Sequence, residues 1–299
     1  MPLPDRDFDV TEVSVPWKLL TEAGHEVVFA TESGATPAAD PLLLTGVLFG
    51  QLGAEAEPKE FYRELEETKA FRSPLSWRGL DLARFDALFL AGGHAPGMRQ
   101  YLGSSELQLA VASFWSLARP ICAICHGVIV LARAIAPASG NSVLHGRRTT
   151  CLPRYLERLA YWMTAWQRGR YYRTYPTYVE AEVRVALRSD TDFDRGPITI
   201  GARGTRDDDG PAFVVEDGNY VSGRWPGDAY LVARRFAELL ERAGTLVHNK
   251  TSQSPSQGQI SLRSISRTRG FAGIKPRAPT QRGYGASGAA ATPTPRDRG

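Results

Sequence analysis

The chain has 299 residues, of which 42% are apolar, and a formal net charge of +4. This length and apolar content predict one large or two modest folded domains. No stretch approaches about 18 consecutive apolar residues, which argues against a membrane-spanning helix. Residues 1–5 show no basic region followed by an apolar core, so we expect no secretory signal, no membrane contact and a cytoplasmic protein.

The positive charge is concentrated at the end of the chain. Residues 250–299 contain nine Lys or Arg and one Asp, and they are rich in Ser, Gly, Pro and Ala. Such a composition cannot bury enough apolar surface to offset the entropy of ordering, so we predict a folded domain over residues 1–248 and a disordered basic tail over 249–299. We expect no nucleic-acid partner beyond weak, salt-dependent contacts through this tail, and a solvated extension without a specific partner is the favoured alternative.

Strand and helix patterns alternate within the first 250 residues. In chain order, they are a helix in "EVSVPWKLLTEAG" ending at Gly24, a strand in "HEVVFA", a strand in "FDALFLAGG" with a helix over 105–118, a strand in "PICAIC" with the helix "GVIVLARAI", and two strands joined by a turn at 216–219 before a final amphipathic helix. Alternation of this kind predicts a doubly wound, mostly parallel α/β sheet of flavodoxin type. Two insertions interrupt it, at about 37–81 and 153–178, and both contain helical patterns.

Cys125 lies where a predicted strand gives way to a helix. Its thiol would lie beside the free amides at the helix N-terminus, which favour the thiolate. Gly127 allows the tight turn that presents a nucleophile in this way. Cys122 and Cys125 also form a C-x-x-C spacing, but alternating strand positions would point the two thiols to opposite sides, so a redox pair is disfavoured.

Glycines close the preceding strand in "AGGHAPGM". Two glycines free backbone N–H groups to face a substrate oxygen, and the amides of Gly93 and His126 are therefore candidates for an oxyanion hole. A plain turn is the alternative, because "GGHAPG" lacks the lysine and spacing of a phosphate-binding loop. We expect Gly92 and His94 to line the same pocket.

The segments "AICHGVIVLARA", "FDALFLAGGHAPGM" and "EVSVPW" together resemble the ThiJ/PfpI superfamily, which has the fold of class I glutamine amidotransferases. The resemblance covers about residues 3–242, and the long segment before "SWRGLDLARFDALFLAGGH" resembles the heat-shock-type chaperone and glyoxalase III branch. It implies a nucleophile at Cys125, a catalytic histidine at His126 and a glutamate at Glu12 that contacts the thiol. It also implies a cofactor-independent lyase that converts small 2-oxoaldehydes such as methylglyoxal to hydroxy acids, and a homodimer.

The sequence offers two candidates for the acid that would orient the His126 ring. In the superfamily it follows a segment matched here by "TTCLPRYLE", where Arg154 takes its place, so Glu157 and Asp228 are the alternatives. Arg224 and Trp225 are expected to line the pocket. The aromatic stretch 155–178 is predicted to be a lid over the thiol or a packed helical hairpin.

Two further expectations concern what the chain lacks. The superfamily opens with an apolar strand for which Met1 leaves almost no room, so the N-terminal strand looks truncated: either the true start lies upstream, or the sheet is built with this central strand missing or replaced. No pair of histidines has the spacing of a zinc site, and neither a metal nor a cofactor is predicted. The alternative functions are a redox-sensing stress protein that holds unfolded clients, and a cysteine amidase or peptidase.

Overall fold

The computed structural model describes the backbone of residues 1–252 and the side chains of residues 1–245. Almost all of the tail predicted over residues 249–299 lies outside the described residues, and the prediction of disorder concerns that undescribed part of the chain. No helix in the described part of the chain has the length and apolar character needed to cross a membrane. The strands are β1 Arg6–Phe8, β2 Ala30–Thr31, β3 Ala38–Ala39, β4 Leu75–Ser76, β5 Leu88–Leu90, β6 Ile121–Ile124, β7 Val214–Asp217 and β8 Tyr220–Gly223. The α-helices are α1 Val10–Glu22, α2 Pro41–Thr45, α3 Ala56–Glu67, α4 Lys69–Arg72, α5 Met98–Leu102, α6 Ser105–Trp115, α7 Gly127–Arg133, α8 Arg154–Arg168, α9 Val179–Ala186 and α10 Ala229–Ser252.

A four-stranded sheet with the order β5-β6-β8-β7 forms the centre of the fold. β5, β6 and β8 run parallel, and β7 joins β8 as an antiparallel hairpin. The predicted turn is confirmed, because Gly218 adopts a φ of +62° between these two strands. Every residue of β5, β6 and β8 is buried, as expected for strands covered on both faces.

Helices cover this sheet in two groups. α10 packs on β6, β8 and α1, while α7 packs on β5, β6, α6 and α9. The mostly parallel sheet and its helical cover confirm the predicted α/β class. Helix α1 ends at Glu22, followed by Gly24 with a φ of +87°, also as predicted.

The sheet is discontinuous near the N-terminus. The strand predicted in "HEVVFA" is reduced to β2, and residues 1–3 pair with this edge: the Met1 ammonium donates to the Val28 carbonyl at 2.7 Å, and the Leu3 amide donates to the Ala30 carbonyl at 2.8 Å. β1-β3 and β2-β4 form two separate parallel pairs. A cavity of about 380 Å³ lies between the β2 edge and β5, lined in part by Val28 and Leu88. The β2-β4 pair is therefore separated from the four-stranded sheet by this cavity.

Both insertions are helical. The first supplies α2, α3 and α4, and the second supplies α8. Residues 169–178 then form turns instead of a second helix, so the predicted helical hairpin within 155–178 is wrong. The sequence of this segment is rich in Tyr and Arg and contains Pro176, and Gly169 at a φ of +57° ends the helix.

Candidate active site

Cys125 occupies a strained turn between β6 and α7. Its φ of +57° lies in the left-handed region, which is rare for a residue with a side chain and is found at nucleophile elbows. The turn also requires Gly127, because a Cβ at that position would lie 2.2 Å from the Leu90 carbonyl oxygen. The predicted strand-to-helix turn is therefore present.

Glu12 lies on the first turn of α1, beside the thiol. Asp9 caps this helix by accepting hydrogen bonds from the backbone amides of Thr11 and Glu12 at 2.8 and 3.1 Å. The Gly92 amide donates to Glu12 Oε2 at 2.9 Å, and a Cβ on Gly92 would lie 2.7 Å from that oxygen. The other oxygen, Oε1, is buried with no hydrogen-bond partner among the described residues. Sequence reasoning missed Asp9, although the D-x-x-E spacing of residues 9–12 is that of a capped helix start.

Burial disfavours the charged form of both members of this pair. Desolvation, then the charges of Glu12 and Asp9, raise the pKa of the Cys125 thiol well above its ordinary value. Desolvation, then the charge of Asp9, raise the pKa of Glu12 well above its usual range. The expectation that the helix N-terminus favours the thiolate is wrong for this resting state. Dipole effects are worth about 0.3–2 kcal/mol, whereas full burial shifts a pKa by up to about 3–5 units, equivalent to several kcal/mol.

His126 and His94 complete a cluster around the sulfur. His126 Nδ1 lies 3.5 Å from Cys125 Sγ, and the two imidazole rings meet edge to face with centroids 4.6 Å apart. Burial lowers the pKa of His94 to about 4, and burial together with His94 and Arg173 lowers the pKa of His126 well below its ordinary value. Both rings are therefore neutral near pH 7. The ligand atoms of His94, Cys125 and His126 lie within 4.8 Å of one another, which is a set that a thiophilic metal ion could use.

The two candidate oxyanion donors differ in their surroundings. The His126 amide lies beside the Cys125 sulfur, where it lowers the pKa of the thiol against the larger effect of burial. The Gly93 amide has no acceptor among the hydrogen bonds of the described residues. A Cβ on Gly93 would lie 2.9 Å from the Asp7 carbonyl oxygen, so glycine is needed at this position. Both amides follow neighbouring strands, β5 and β6, but neither Gly93 nor His126 is among the residues that line the apolar cavity described below.

Neither candidate orienting acid contacts His126. Glu157 accepts from Arg173 Nη1 and from the Val179 amide, both at 2.9 Å. Asp228 accepts from Arg224 Nε and Nη2, also at 2.9 Å. Arg173, which the sequence did not single out, is the charged group that acts on His126.

Arg224 lies outside the pocket, contrary to expectation. Its side chain is fully buried, and besides Asp228 it donates to the Pro197 carbonyl at 2.8 Å. A residue that precedes Trp225 at a strand end was expected to reach the pocket, but the salt bridge to Asp228 turns its guanidinium away.

We expect Asp228→Asn to lower the free energy of unfolding by about 3–5 kcal/mol, because it leaves a guanidinium buried without its counter-ion. Chemical denaturation measures this change. As a control, Glu22→Gln removes the partner of Arg206 in an exposed pair and should cost at most about 1 kcal/mol. Equal losses in the two variants would contradict this account of the buried pair.

An apolar cavity of about 370 Å³ opens next to the cluster. His94 and Trp225 line it as predicted, whereas Gly92, which was also expected to line it, does not, because it packs against Glu12. The insertions supply much of the cavity wall through α8 and the segment around residues 43–54. Asp9, Thr11, Tyr172 and Arg203 also line it, and no sequence signal distinguished Tyr172 from the other tyrosines nearby. Cys125 itself is fully buried, and His94 is the member of the cluster that reaches the cavity.

His94 therefore separates the cavity from the thiol. We expect His94→Ala to increase the rate at which iodoacetamide alkylates Cys125 by about tenfold or more, because thiol reactivity depends on access. Peptide mass spectrometry locates the label, and Cys151, which is also fully buried, serves as the internal control. An unchanged rate at Cys125 would show that His94 does not limit access.

A cysteine on a strained strand-to-helix turn, with a carboxyl group and an imidazole beside it, defines an α/β protein of the nucleophile-elbow class. The chain belongs to the ThiJ/PfpI family: the family model described as "ThiJ/PfpI family-like" matches residues 3–197. This confirms the resemblance inferred from the sequence.

Several proteins with sequences similar to this chain carry the names of enzymes. A deglycase of Pyrococcus abyssi is 27% identical over 78% of this chain and 94% of its own length. A glutathione-independent glyoxalase of Schizosaccharomyces pombe is 26% identical over 46% of this chain and 56% of its own length. The crystal structure of glyoxalase III from Candida albicans shares the fold with a TM-score of 0.57, at 20% identity over 78% of this chain and 87% of that chain. The chain is thus related to the glyoxalase and deglycase enzymes.

Proposed function

We propose that the protein is a cysteine-dependent, cofactor-independent lyase of glyoxalase III type, which converts small 2-oxoaldehydes such as methylglyoxal to 2-hydroxy acids such as lactate. The observation that carries this proposal is the buried contact among Cys125, Glu12 and His126 next to a cavity. A nucleophile, a proton carrier and a second acid or base are the groups this isomerisation needs.

The first step is addition of the thiol to the aldehyde carbon. The Cys125 sulfur forms a bond to C1 of the substrate, and the thiol proton passes through His126 Nδ1 to the former aldehyde oxygen. The product of this step is a neutral hemithioacetal. The Gly93 and His126 amides stabilise the oxygen while it carries negative charge.

Proton transfer between the two substrate carbons follows. Ionised Glu12 removes the proton from C1, which gives an enediolate with negative charge on the C2 oxygen, and the resulting Glu12 carboxylic acid returns the proton to C2. The proton of the C1 hydroxyl passes through the neutral imidazole of His126 to the C2 oxygen, so that C1 becomes the carbonyl of a thioester and C2 carries a hydroxyl group. Water then hydrolyses the thioester, which breaks the C1–sulfur bond, restores the thiol and releases the hydroxy acid. The substrate is neither oxidised nor reduced overall, and water is the only co-reactant.

Deglycation is a second candidate, supported by the name of the Pyrococcus relative and by the same thiol. Attack of the Cys125 thiol on the carbinolamine carbon of an amine adduct would break the C–N bond, release the amine with the thiol proton, and leave the same hemithioacetal on Cys125. Purified protein incubated with methylglyoxal alone, without glutathione or amines, separates the two activities. Lactate formation supports the lyase, and release of free amine from a preformed adduct without lactate formation from methylglyoxal supports the deglycase.

The alternatives from other functional classes give different results in the same samples. A redox-sensing stress protein that holds unfolded clients would produce no lactate but would show a peroxide-dependent mass shift at Cys125. An amidase or peptidase would release ammonia or peptides from amide substrates. Either result without lactate would contradict the proposed lyase.

A further inference from the structure

The walls of the 370 Å³ cavity are mainly hydrocarbon, although several polar residues line it. The charged Arg203 also lines it, with its guanidinium over the Trp225 ring and 3.7 Å from Glu55. The Thr164 hydroxyl donates to the Ala160 carbonyl at 2.8 Å, and the Tyr172 hydroxyl donates to Asp40 at 2.9 Å. The Asp9 carboxyl group caps α1 by accepting a hydrogen bond from the Thr11 amide. These polar groups are thus satisfied within the protein and offer little to a polar ligand.

Two cavity-lining residues have polar atoms without a partner. His94 Nε2 and Trp225 Nε1 are both buried with no hydrogen-bond partner among the described residues. An unpartnered buried polar atom costs free energy, and a ligand oxygen recovers this cost where the side chain turns to present the atom to the cavity. His94 stacks edge to face on His126, so it marks the polar end of the cavity nearest the reaction centre.

The rest of the cavity is apolar and leads outward. Leu159 and Leu156 line it from α8, and Leu52, Met163 and Ile200 line it while remaining 46%, 37% and 70% exposed. Exposed apolar side chains of this kind mark the mouth of the cavity. At about 30 Å³ for each water-sized group, the cavity holds about twelve such groups, and methylglyoxal fills less than half of it.

We propose that the preferred substrates are 2-oxoaldehydes that carry a medium-length hydrocarbon chain, with the two carbonyl oxygens at the His94 end and the chain along α8. This inference rests on the proposed function for its reaction but on the cavity for its substrate class. Each buried methylene should raise kcat/KM by up to about fourfold, the equivalent of about 0.8 kcal/mol.

The test compares methylglyoxal with 2-oxooctanal. Wild-type protein should show a kcat/KM at least about tenfold higher for 2-oxooctanal, chiefly through a lower KM. Ala160→Phe fills the cavity and should remove this preference. Ala165→Phe, on the same helix but outside the cavity lining, is the matched control and should keep the preference. Equal kcat/KM for the two aldehydes in wild-type protein would overturn the inference.

Binding of 2-octanone, measured by calorimetry, separates this inference from the proposed function. Wild type and Ala165→Phe should bind the ketone at least tenfold more tightly than Ala160→Phe. Binding of this kind without turnover of any 2-oxoaldehyde would refute the proposed lyase and leave the ligand class standing. Absence of binding to wild type, or equal binding by the two phenylalanine variants, would overturn the inference whatever the turnover.

Discussion

Cys125→Ala is expected to lower lactate formation from methylglyoxal by about a thousandfold or more. The substitution removes the atom that forms the bond to C1, and no other thiol can replace it. Cys122 lies within β6 and Cys151 is fully buried outside the cavity lining. Lactate measured under saturating methylglyoxal, with circular dichroism to verify folding, gives the result.

Cys151→Ala is the matched control for this experiment. Its thiol is also fully buried, and its hydrogen bond is a weak one to the Leu152 carbonyl at 3.8 Å. Turnover by this variant should stay within a few-fold of the wild type. A folded Cys125→Ala protein that still forms lactate would refute the nucleophile assignment.

Glu12→Gln is expected to lower kcat by about a hundredfold to ten-thousandfold, which is the usual effect of losing a positioned acid or base. Glutamine retains an oxygen that can accept the hydrogen bond from Gly92, so the turn should survive while proton transfer is lost. Glu157→Gln is the comparison, because Glu157 binds Arg173 and the Val179 amide without contacting the thiol. Equal losses in both variants would show that Glu12 has no special role.

The raised pKa of Glu12 also fixes the sign of the pH dependence. Glu12 must be ionised to remove the proton from C1, and burial keeps it protonated well above its ordinary pKa. The rate should therefore rise as the pH is raised above the range in which a glutamate ordinarily ionises, until Glu12 ionises. A rate that falls across this range would contradict the role of Glu12 as the base.

Local features of the site could be predicted from the sequence. The apolar run "PICAIC" followed by glycine indicates a strand that turns into a helix, and the structure has this turn at Cys125. The glycine pair after "ALFLA" indicates close backbone approach, and Gly92 does contact Glu12. The contact of Glu12 with the thiol could be expected only from the family resemblance, since 113 residues separate the two along the chain.

Long-range packing accounts for what could not be predicted. The protonation state of Cys125 depends on complete burial beneath His94, which no local pattern reports. Arg224 was assigned to the pocket from its position at a strand end. Instead, it forms an ion pair with Asp228, which lies four residues further along the chain. The cavity itself is built by two insertions far apart in the chain, so its apolar lining emerges only when they pack together.

The most direct test of the account is mass spectrometry of the protein quenched in acid during turnover of methylglyoxal. The peptide that contains Cys125 should gain the mass of one methylglyoxal, as the hemithioacetal or its thioester isomer, and the Cys151 peptide should not. In Glu12→Gln the adduct should persist without lactate formation. Lactate accumulation with no adduct at Cys125, or with the adduct on another cysteine, would contradict the central claim that this thiol carries the substrate.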